Sequence, residues 1–313
     1  MIVTITPNPA VDQTMWVRKL AAGDVNRAHE IQIDPAGKGI NVSRVARRLG
    51  LPSIAMGFLG GETGDLVEHA LSAEHVPFHF VRVQGRTRID ITINDEATGN
   101  ATNCWAPGPH VSAAETEELR TLIEVWLNAA RVLVLAGSLT SGLPPDTYAG
   151  WTRMARARGV RVIVDASGEA LSEAVKAAPD MIKPNVEEAE MLLGRKLPSM
   201  DAVVDAAREL QSRGIATVVI SMGGEGLVCA SGSEVWRVRP PKIKRRSTVG
   251  SGDSLVAGMA ASFARGASME DALRLGSAAG AATAASIGTA LANPADVDAL
   301  LSQVLIERVG LTA

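Results

Sequence analysis

The chain has 313 residues, 46% hydrophobic and 21% charged, with 31 lysines and arginines against 34 acidic residues and a net charge of −3. That length suits one α/β domain with a small appendage, and the balance excludes the basic footprint of a nucleic-acid binder. Cys104 and Cys229 stand far apart and the five histidines do not cluster, which excludes a cysteine-metal motif or disulfide framework and points to a reduced, cytoplasmic protein.

Met1–Thr6 reads as a short apolar strand stopped by Pro7-Asn8-Pro9, with no basic region before it, so no signal peptide is expected. Helical spacing over Ile40–Leu49 ends at Gly50. A strand is predicted at Ser53–Phe58, a helix at Gly64–Ser72, an extended run at Phe78–Val83 and an alternating strand at Arg88–Ile93, with Asn100–Trp105 returning after a turn. Beyond Pro109, helices near 113–130, 145–158, 171–177, after Asn185 and near 202–213 alternate with apolar strands at 132–135, 160–164, 180–183 and 217–221. Continuous apolar strands between helices indicate a mostly parallel sheet covered on both faces. The C-terminal part is predicted to be helical, over 252–265, 268–286 and 294–308. Leu275 to Ala295 has no charge but is mostly Ala, Gly, Ser and Thr, so it reads as a tightly packed internal helix and loop and not a membrane span. The segments at about 11–33 and 85–106 alternate without helices between them and read as a small β-sheet lid on one α/β domain spanning 1–313.

Two glycine-rich stretches carry the chemical signal. In Ser247-Thr248-Val249-Gly250-Ser251-Gly252-Asp253, two glycines precede a helix. A helix start offers unpaired N–H groups and the positive end of a dipole, an anion hole suited to a transferring phosphoryl group. Asp253 at its mouth is placed to take a hydroxyl proton, although Asp also caps helices. In Asp34-Pro35-Ala36-Gly37-Lys38-Gly39-Ile40-Asn41, the glycines allow a tight curl, Lys38 a cation and Asn41 both donor and acceptor groups. A polyol or phosphate fits there, as does a plain loop with an exposed lysine. Neither stretch is a Walker A loop, and no dinucleotide fingerprint is present. The run Lys242-Ile243-Lys244-Arg245-Arg246 reads first as a solvated strand edge, with screening of nucleotide phosphates as the alternative.

These two stretches resemble the signature regions of the ribokinase-like carbohydrate kinases, in the phosphofructokinase-B branch. Between them, in the same order, stand Thr6-Pro7-Asn8-Pro9-Ala10-Val11-Asp12, Gly60-Gly61-Glu62-Thr63-Gly64, Thr87-Arg88, Pro107-Gly108-Pro109, Gly137-Ser138-Leu139, Lys183-Pro184-Asn185-Val186-Glu187-Glu188 and Ser221-Met222-Gly223. The resemblance covers nearly the whole chain. It implies a three-layer αβα sandwich with a β-sheet lid, and ATP-dependent phosphorylation of a sugar.

By the same resemblance, Asp253 is the base, and the backbone of Gly250, Ser251 and Gly252 stabilises the phosphoryl oxygens. Asp12, Gly37, Gly39, Asn41 and Ser138 hold the sugar, while Lys38, Arg88 and Arg27 are candidates for its existing phosphate. Lys183, Ser221, Gly223, Gly226 and Thr248 serve the nucleotide. Asn185 and Glu188 match the family's N-x-x-E motif for Mg²⁺, held mainly through waters, but that spacing is also a capping box. Gly37-Lys38-Gly39, with Asn103 further on, resembles the 1-phosphofructokinase and tagatose-6-phosphate kinase subgroup, and fructose 1-phosphate is the favoured substrate. Family members hold a monovalent cation such as K⁺ near the second signature. The common Asp is replaced here by Ser247, which weakens that expectation. Lids of this family often clasp one another in dimers, so a homodimer is expected, with Trp16 and Trp105 as candidate anchors or, equally, as residues packed within the lid.

Overall fold

A computed structural model describes residues 1–247 and 249–310. In chain order the elements are β1 (Ile2–Thr6), β2 (Ala10–Val17), β3 (Glu30–Ala36), α1 (Lys38–Arg48), β4 (Ser53–Leu59), α2 (Gly61–Ala73), β5 (Phe78–Arg82), β6 (Arg88–Asp95), β7 (Asn100–Cys104), α3 (Ala113–Leu127), β8 (Val132–Ala136) and α4 (Thr147–Arg156). They continue as β9 (Arg161–Asp165), α5 (Gly168–Lys176), β10 (Met181–Ile182), α6 (Val186–Leu193), α7 (Met200–Ser212), β11 (Thr217–Ser221), β12 (Leu227–Ser231), β13 (Glu234–Arg239), α8 (Ser251–Arg265), α9 (Met269–Ala285), α10 (Pro294–Leu301) and β14 (Leu305–Arg308).

Ten strands form the main sheet in the order β14-β13-β12-β11-β10-β9-β8-β1-β4-β5. From β5 to β11 every pair is parallel, and β11 to β14 are antiparallel. Successive side chains leave a strand on opposite faces, so Val3 and Ile5 join one buried cluster while Ile2 joins the other. Helices α3–α7 cover the first face, and α1, α8 and α9 the second. This is the mixed α/β sandwich expected from the alternating pattern.

The charge-free C-terminal stretch packs as the composition implies. Gly258 of α8 meets Gly276 of α9, where a Cβ on Gly258 would lie 2.7 Å from the Gly276 Cα. No helix among the described residues is long and apolar enough to cross a membrane.

Two expectations need correction, and one hairpin carried no prediction. The helix predicted over 294–308 stops at Leu301, and Leu305–Arg308 pairs with the open edge of β13. The hairpin β12–β13 went unread, although its Gly232-Ser233 turn between apolar runs is a hairpin signal. The basic run 242–246 belongs to no strand; the Arg246 and Ser247 amides donate to the Ala284 carbonyl at 2.8 and 3.2 Å.

A second sheet, ordered β3-β2-β6-β7, stands apart from the first. Its register puts Asp12 opposite Asp34 on one side and Asp90 on the other. Thr14, Gln32 and Thr92 make the next row on that face. The opposite face carries Met15 between Ile31 and Ile93, and Gln13 between Ile33 and Ile91. Ile89, Ile91 and Ile93 thus share a face as their alternation predicts, but Ile31 and Ile33 beside them are 56% and 57% exposed.

Candidate active site

The main sheet delivers its chemistry at the carboxyl ends of neighbouring strands, where open α/β sheets place ligand sites. In the order β11, β10, β9, β8, β1 these ends carry Ser221, Lys183, Asp165, Ser138 and Asn8. Four inter-strand steps span about 19 Å, room for a nucleotide at one end and a sugar at the other.

Helix α8 begins above this edge. Its N-cap is Gly250, at φ 73°, a conformation that favours glycine, and a side chain there would strike Leu291 at 2.6 Å. Asp253, in the first turn, is 7% exposed, and its Oδ2 accepts a hydrogen bond from Asn41 Nδ2 at 2.8 Å. Burial pushes its carboxyl up to about 6, helped by the negative charge of Asp165 and opposed by Lys38, Asn41 and Lys183. A carboxylate held near neutrality can accept a proton at working pH.

Asn41 arrives on α1, whose start is the first glycine-rich stretch. That stretch is pressed onto the end of β1. A Cβ on Gly39 would lie 2.6 Å from Thr6 Oγ1, and Thr6 Oγ1 accepts from the Ile40 amide at 3.0 Å. The 212-residue span between Asn41 and Asp253 is closed by one hydrogen bond, so the two glycine-rich stretches form one site.

Lys38 and Lys183 converge on a residue the sequence reading passed over. Asp165, at the end of β9, is 1% exposed, and its Oδ1 lies 2.9 Å from Lys38 Nζ and 3.3 Å from Lys183 Nζ. Its pKa is raised by burial, but the two lysines outweigh that and hold it low. Lys38 in turn stays protonated above the ordinary lysine value: burial opposes its charge, and Asp165, Asp253 and Glu188 sustain it. Lys183 Nζ also reaches Gly252, where it would stand 3.4 Å from an added Cβ.

On the small sheet, Asp12 is pushed up to about 7, first by burial and then by Asp90 and Asp34, with a smaller contribution from Asp253. Ser138 accepts from Asn8 Nδ2 at 3.1 Å. Arg88 is engaged within the chain. Its Nη1 lies 3.1 Å from Asp90 Oδ2 and donates to the Ala106 carbonyl at 3.2 Å, and its Nη2 donates to the Asn8 carbonyl at 3.3 Å. Arg27 lies exposed in the segment between β2 and β3 and is not brought into this cluster by any hydrogen bond or ion pair among the described residues. Trp16 faces inward, near Gly288, whereas Trp105 is 73% exposed.

At the far end, Asn185, Ser221, Met222 and Gly223 line an open cleft of about 660 Å³ together with Arg237. Gly226 serves the turn itself: at φ 99°, a Cβ there would fall 1.9 Å from the Val238 carbonyl oxygen. Thr248 lies outside the described residues. Asn185 and Glu188 do form a capping box, with the Glu188 amide donating to Asn185 Oδ1 at 2.8 Å and the Asn185 amide to Glu188 Oε2 at 2.9 Å. That box holds the Glu188 carboxylate, which is near enough for its charge to help sustain that of Lys38. No group of three or more His, Cys, Asp or Glu placed to hold a metal stands among the described residues. A metal here would have few protein ligands, as Mg²⁺ has when substrate phosphates complete its shell.

A buried carboxylate at a helix N-terminus, two lysines beside it and a cleft at the next strand ends match the needs of phosphoryl transfer, where positioning and charge neutralisation dominate. The family model described as "pfkB family carbohydrate kinase" matches residues 5–296. The 1-phosphofructokinase of Escherichia coli (strain K12) is 36% identical over 303 residues, covering 97% of each chain. That of Bacillus subtilis (strain 168) is 36% identical over 311 residues, covering 99% of this chain and all of the relative. The crystal structure of phosphofructokinase-2 from Escherichia coli in complex with potassium superposes with a TM-score of 0.90 at 32% identity, over 96% of this chain and 98% of that one. Site geometry, fold and sequence agree: the chain belongs to the pfkB family of carbohydrate kinases, enzymes that transfer a phosphoryl group to a sugar hydroxyl.

Proposed function

We propose that this chain phosphorylates fructose 1-phosphate on its other terminal hydroxyl, using ATP and Mg²⁺ and giving fructose 1,6-bisphosphate. The observation that carries the reading is the buried hydrogen bond between Asn41 and Asp253, which joins a sugar-facing loop to a phosphoryl-facing helix start. The choice of fructose 1-phosphate draws on the relatives named 1-phosphofructokinase.

In this reading the sugar lies between Asp12, Asn41, Ser138 and Asp253, and Asp253 takes the proton of the attacking hydroxyl. The amides at the start of α8 and Lys183 receive the charge that builds on the transferring group. Asn185, Ser221 and Gly223 border the nucleotide. Mg²⁺, held through waters by Glu188 with Asn185 orienting that carboxylate, would supply neutralisation of the ATP phosphates. A K⁺ ion bound by backbone carbonyls near Ser247 is a further expectation, since a potassium complex exists for a similar protein. The whole chain acts as one kinase domain, in the cytoplasm. Its small sheet serves as a lid that shields the site from water, and the outer face of that lid pairs two copies into a dimer.

The test is a coupled ADP-release assay with Mg-ATP, comparing fructose 1-phosphate, fructose 6-phosphate and tagatose 6-phosphate. Fructose 1-phosphate should give the largest kcat/KM. A larger value for either competitor moves the substrate assignment to that sugar. No turnover by folded protein on any of the three removes the phosphosugar reading.

A further inference from the structure

We propose that Arg44 is a positioning residue for Asp253: clamped by Glu74 outside the site, it fixes the Asn41 side chain so that the amide NH₂, and not the amide oxygen, faces the carboxylate. The proposal rests on the kinase reading above, in which Asp253 takes the proton of the attacking hydroxyl.

An asparagine amide is polar at both ends and can turn over. Asn41 Nδ2 donates to Asp253 Oδ2 at 2.8 Å, but a protonated Asp253 could equally donate to an Asn41 oxygen turned towards it. Which form the site keeps depends on what holds the far end of Asn41. That end faces Arg44, one turn along α1, whose Nη1 donates to Asn41 Oδ1 at 3.5 Å. A guanidinium has donors and no acceptor, so it takes only the amide oxygen as a neighbour. The NH₂ is left for Asp253, and the ionised carboxylate is the form that it suits. The contact is long, but Arg44 is 5% exposed, and a full charge acts strongly where water is excluded.

Arg44 is itself held. Its Nε donates to both oxygens of Glu74 at 2.9 and 3.1 Å, and its Nη1 also donates to the Pro35 carbonyl at 3.3 Å. Pro35 belongs to β3, so the same guanidinium joins the small sheet to α1. Glu74 caps the end of α2; burial opposes its charge, and Arg44 and Arg48 outweigh that and hold its pKa low. Arg48, the next turn of α1, completes the clamp. Its Nη2 donates to Glu74 Oε2 at 3.0 Å and its Nη1 to the Leu291 carbonyl at 2.9 Å. Leu291 is the side chain that a Cβ on Gly250 would strike. One carboxylate thus ties down two arginines, one leading to Asp253 and the other to the N-cap of the helix that carries it.

The experiment follows the Asp253 carboxyl directly, by ¹³C NMR on protein labelled at the aspartate carboxyls, with the resonance identified by its loss in Asp253→Asn. It needs neither nucleotide nor sugar. In the parent the group should titrate at about 6. In Arg44→Met it should titrate about one pH unit higher, because Asn41 can then turn its oxygen to a protonated Asp253. In an Asn41→Ala background the same Arg44→Met change should leave the titration where it stands, because Arg44 acts through Asn41. A direct effect of the lost positive charge would persist there.

Kinetics across pH accompany the titration. Activity is lost as pH falls and Asp253 takes up its proton, so a raised pKa moves the acid limb of kcat/KM upward. Arg44→Met should lower kcat/KM about fivefold at pH 6 and about twofold at pH 7, with the parent value regained above about pH 8. A clamp that served only the fold would lower it by the same factor at every pH. Glu74 keeps Arg48 as a partner in Arg44→Met; should that variant still fail to fold, Arg44→Met with Glu74→Gln removes the pair together and should show the same shift.

A titration unmoved in Arg44→Met, or moved equally in the Asn41→Ala background, overturns the proposal. A shifted titration in protein that turns over none of the phosphosugars, or whose acid limb stays put, upholds the hold of Arg44 on Asp253 and strikes the base role given to that carboxylate above.

Discussion

As the proposed base, Asp253 must be charged in a place that resists charge. Its pKa rises from 3.8 to about 6 because burial and Asp165 outweigh Lys38, Asn41 and Lys183. Below pH 3.8 the group is neutral in folded and unfolded chains alike, and it costs nothing. As pH climbs to about 6 the unfolded chain ionises first and stability is lost. Above that, the buried charge costs on the order of 3 kcal/mol. Asp253→Asn should therefore be more stable than the parent by about 1–3 kcal/mol at neutral pH. That gain should shrink as pH falls through the same window, while kcat falls about 10²–10⁴-fold. Thermal unfolding across that range, beside steady-state kinetics, checks both, and a variant less stable than the parent at neutral pH would contradict the account. Asp253 was legible in the sequence because two glycines and a helix start surround it. Asp165 carries no such mark. It is a lone acid after the apolar run Val162-Ile163-Val164, and only the order of strands brings it beside Lys38 and Lys183. The one available signal was its place at the end of a parallel strand, where such sheets put their ligands.

Helix α8 holds Asp253 in place through backbone contact with α9. A Cβ on Gly258 would meet the Gly276 Cα at 2.7 Å and its nitrogen at 2.8 Å. Backbone atoms cannot rotate aside, so Gly258→Ala must push α8 from α9, and Gly252 and Asp253 move with α8. The expected loss is about 1–3 kcal/mol, as for other overpacked cores, with a fall in kcat. Gly150→Ala in α4, where nothing lies within 4 Å of an added Cβ, is the control and should gain about 0.5–1 kcal/mol. Denaturant midpoints of the two variants decide, and an unshifted Gly258→Ala would show that the close approach holds nothing. The absence of charge from 275 to 295 announced this packing. The end of the chain announced less. Leu305-Ile306-Glu307-Arg308 is too short to show a period, and its conformation is set by the open edge of β13.

At the scale of the molecule, the small sheet has two unlike faces, because side chains alternate along each strand. The row Asp12, Asp34, Asp90 must face the site, and the same register turns Met15, Ile31, Ile33, Ile91 and Ile93 the other way. The alternation of 88–93 was plain in the sequence, but which face would be covered was not, since that depends on where the main sheet places the strands. Helix α2 covers this face only at the Val11 end, and Ile31, Ile33 and Ile89 beyond it are exposed; contiguous apolar patches of this kind mark interaction sites. In the proposed dimer a second copy offers the same row in return, as a two-fold interface requires. Ile33→Glu is the direct probe: the residue is 57% exposed in the single chain, so the substitution costs the fold within about 0.5 kcal/mol. A charge facing its own copy, however, should drive the protein to monomers in sedimentation velocity, with circular dichroism unchanged. A parent that already sediments as a monomer would remove the interface, and a variant that still pairs would place it elsewhere.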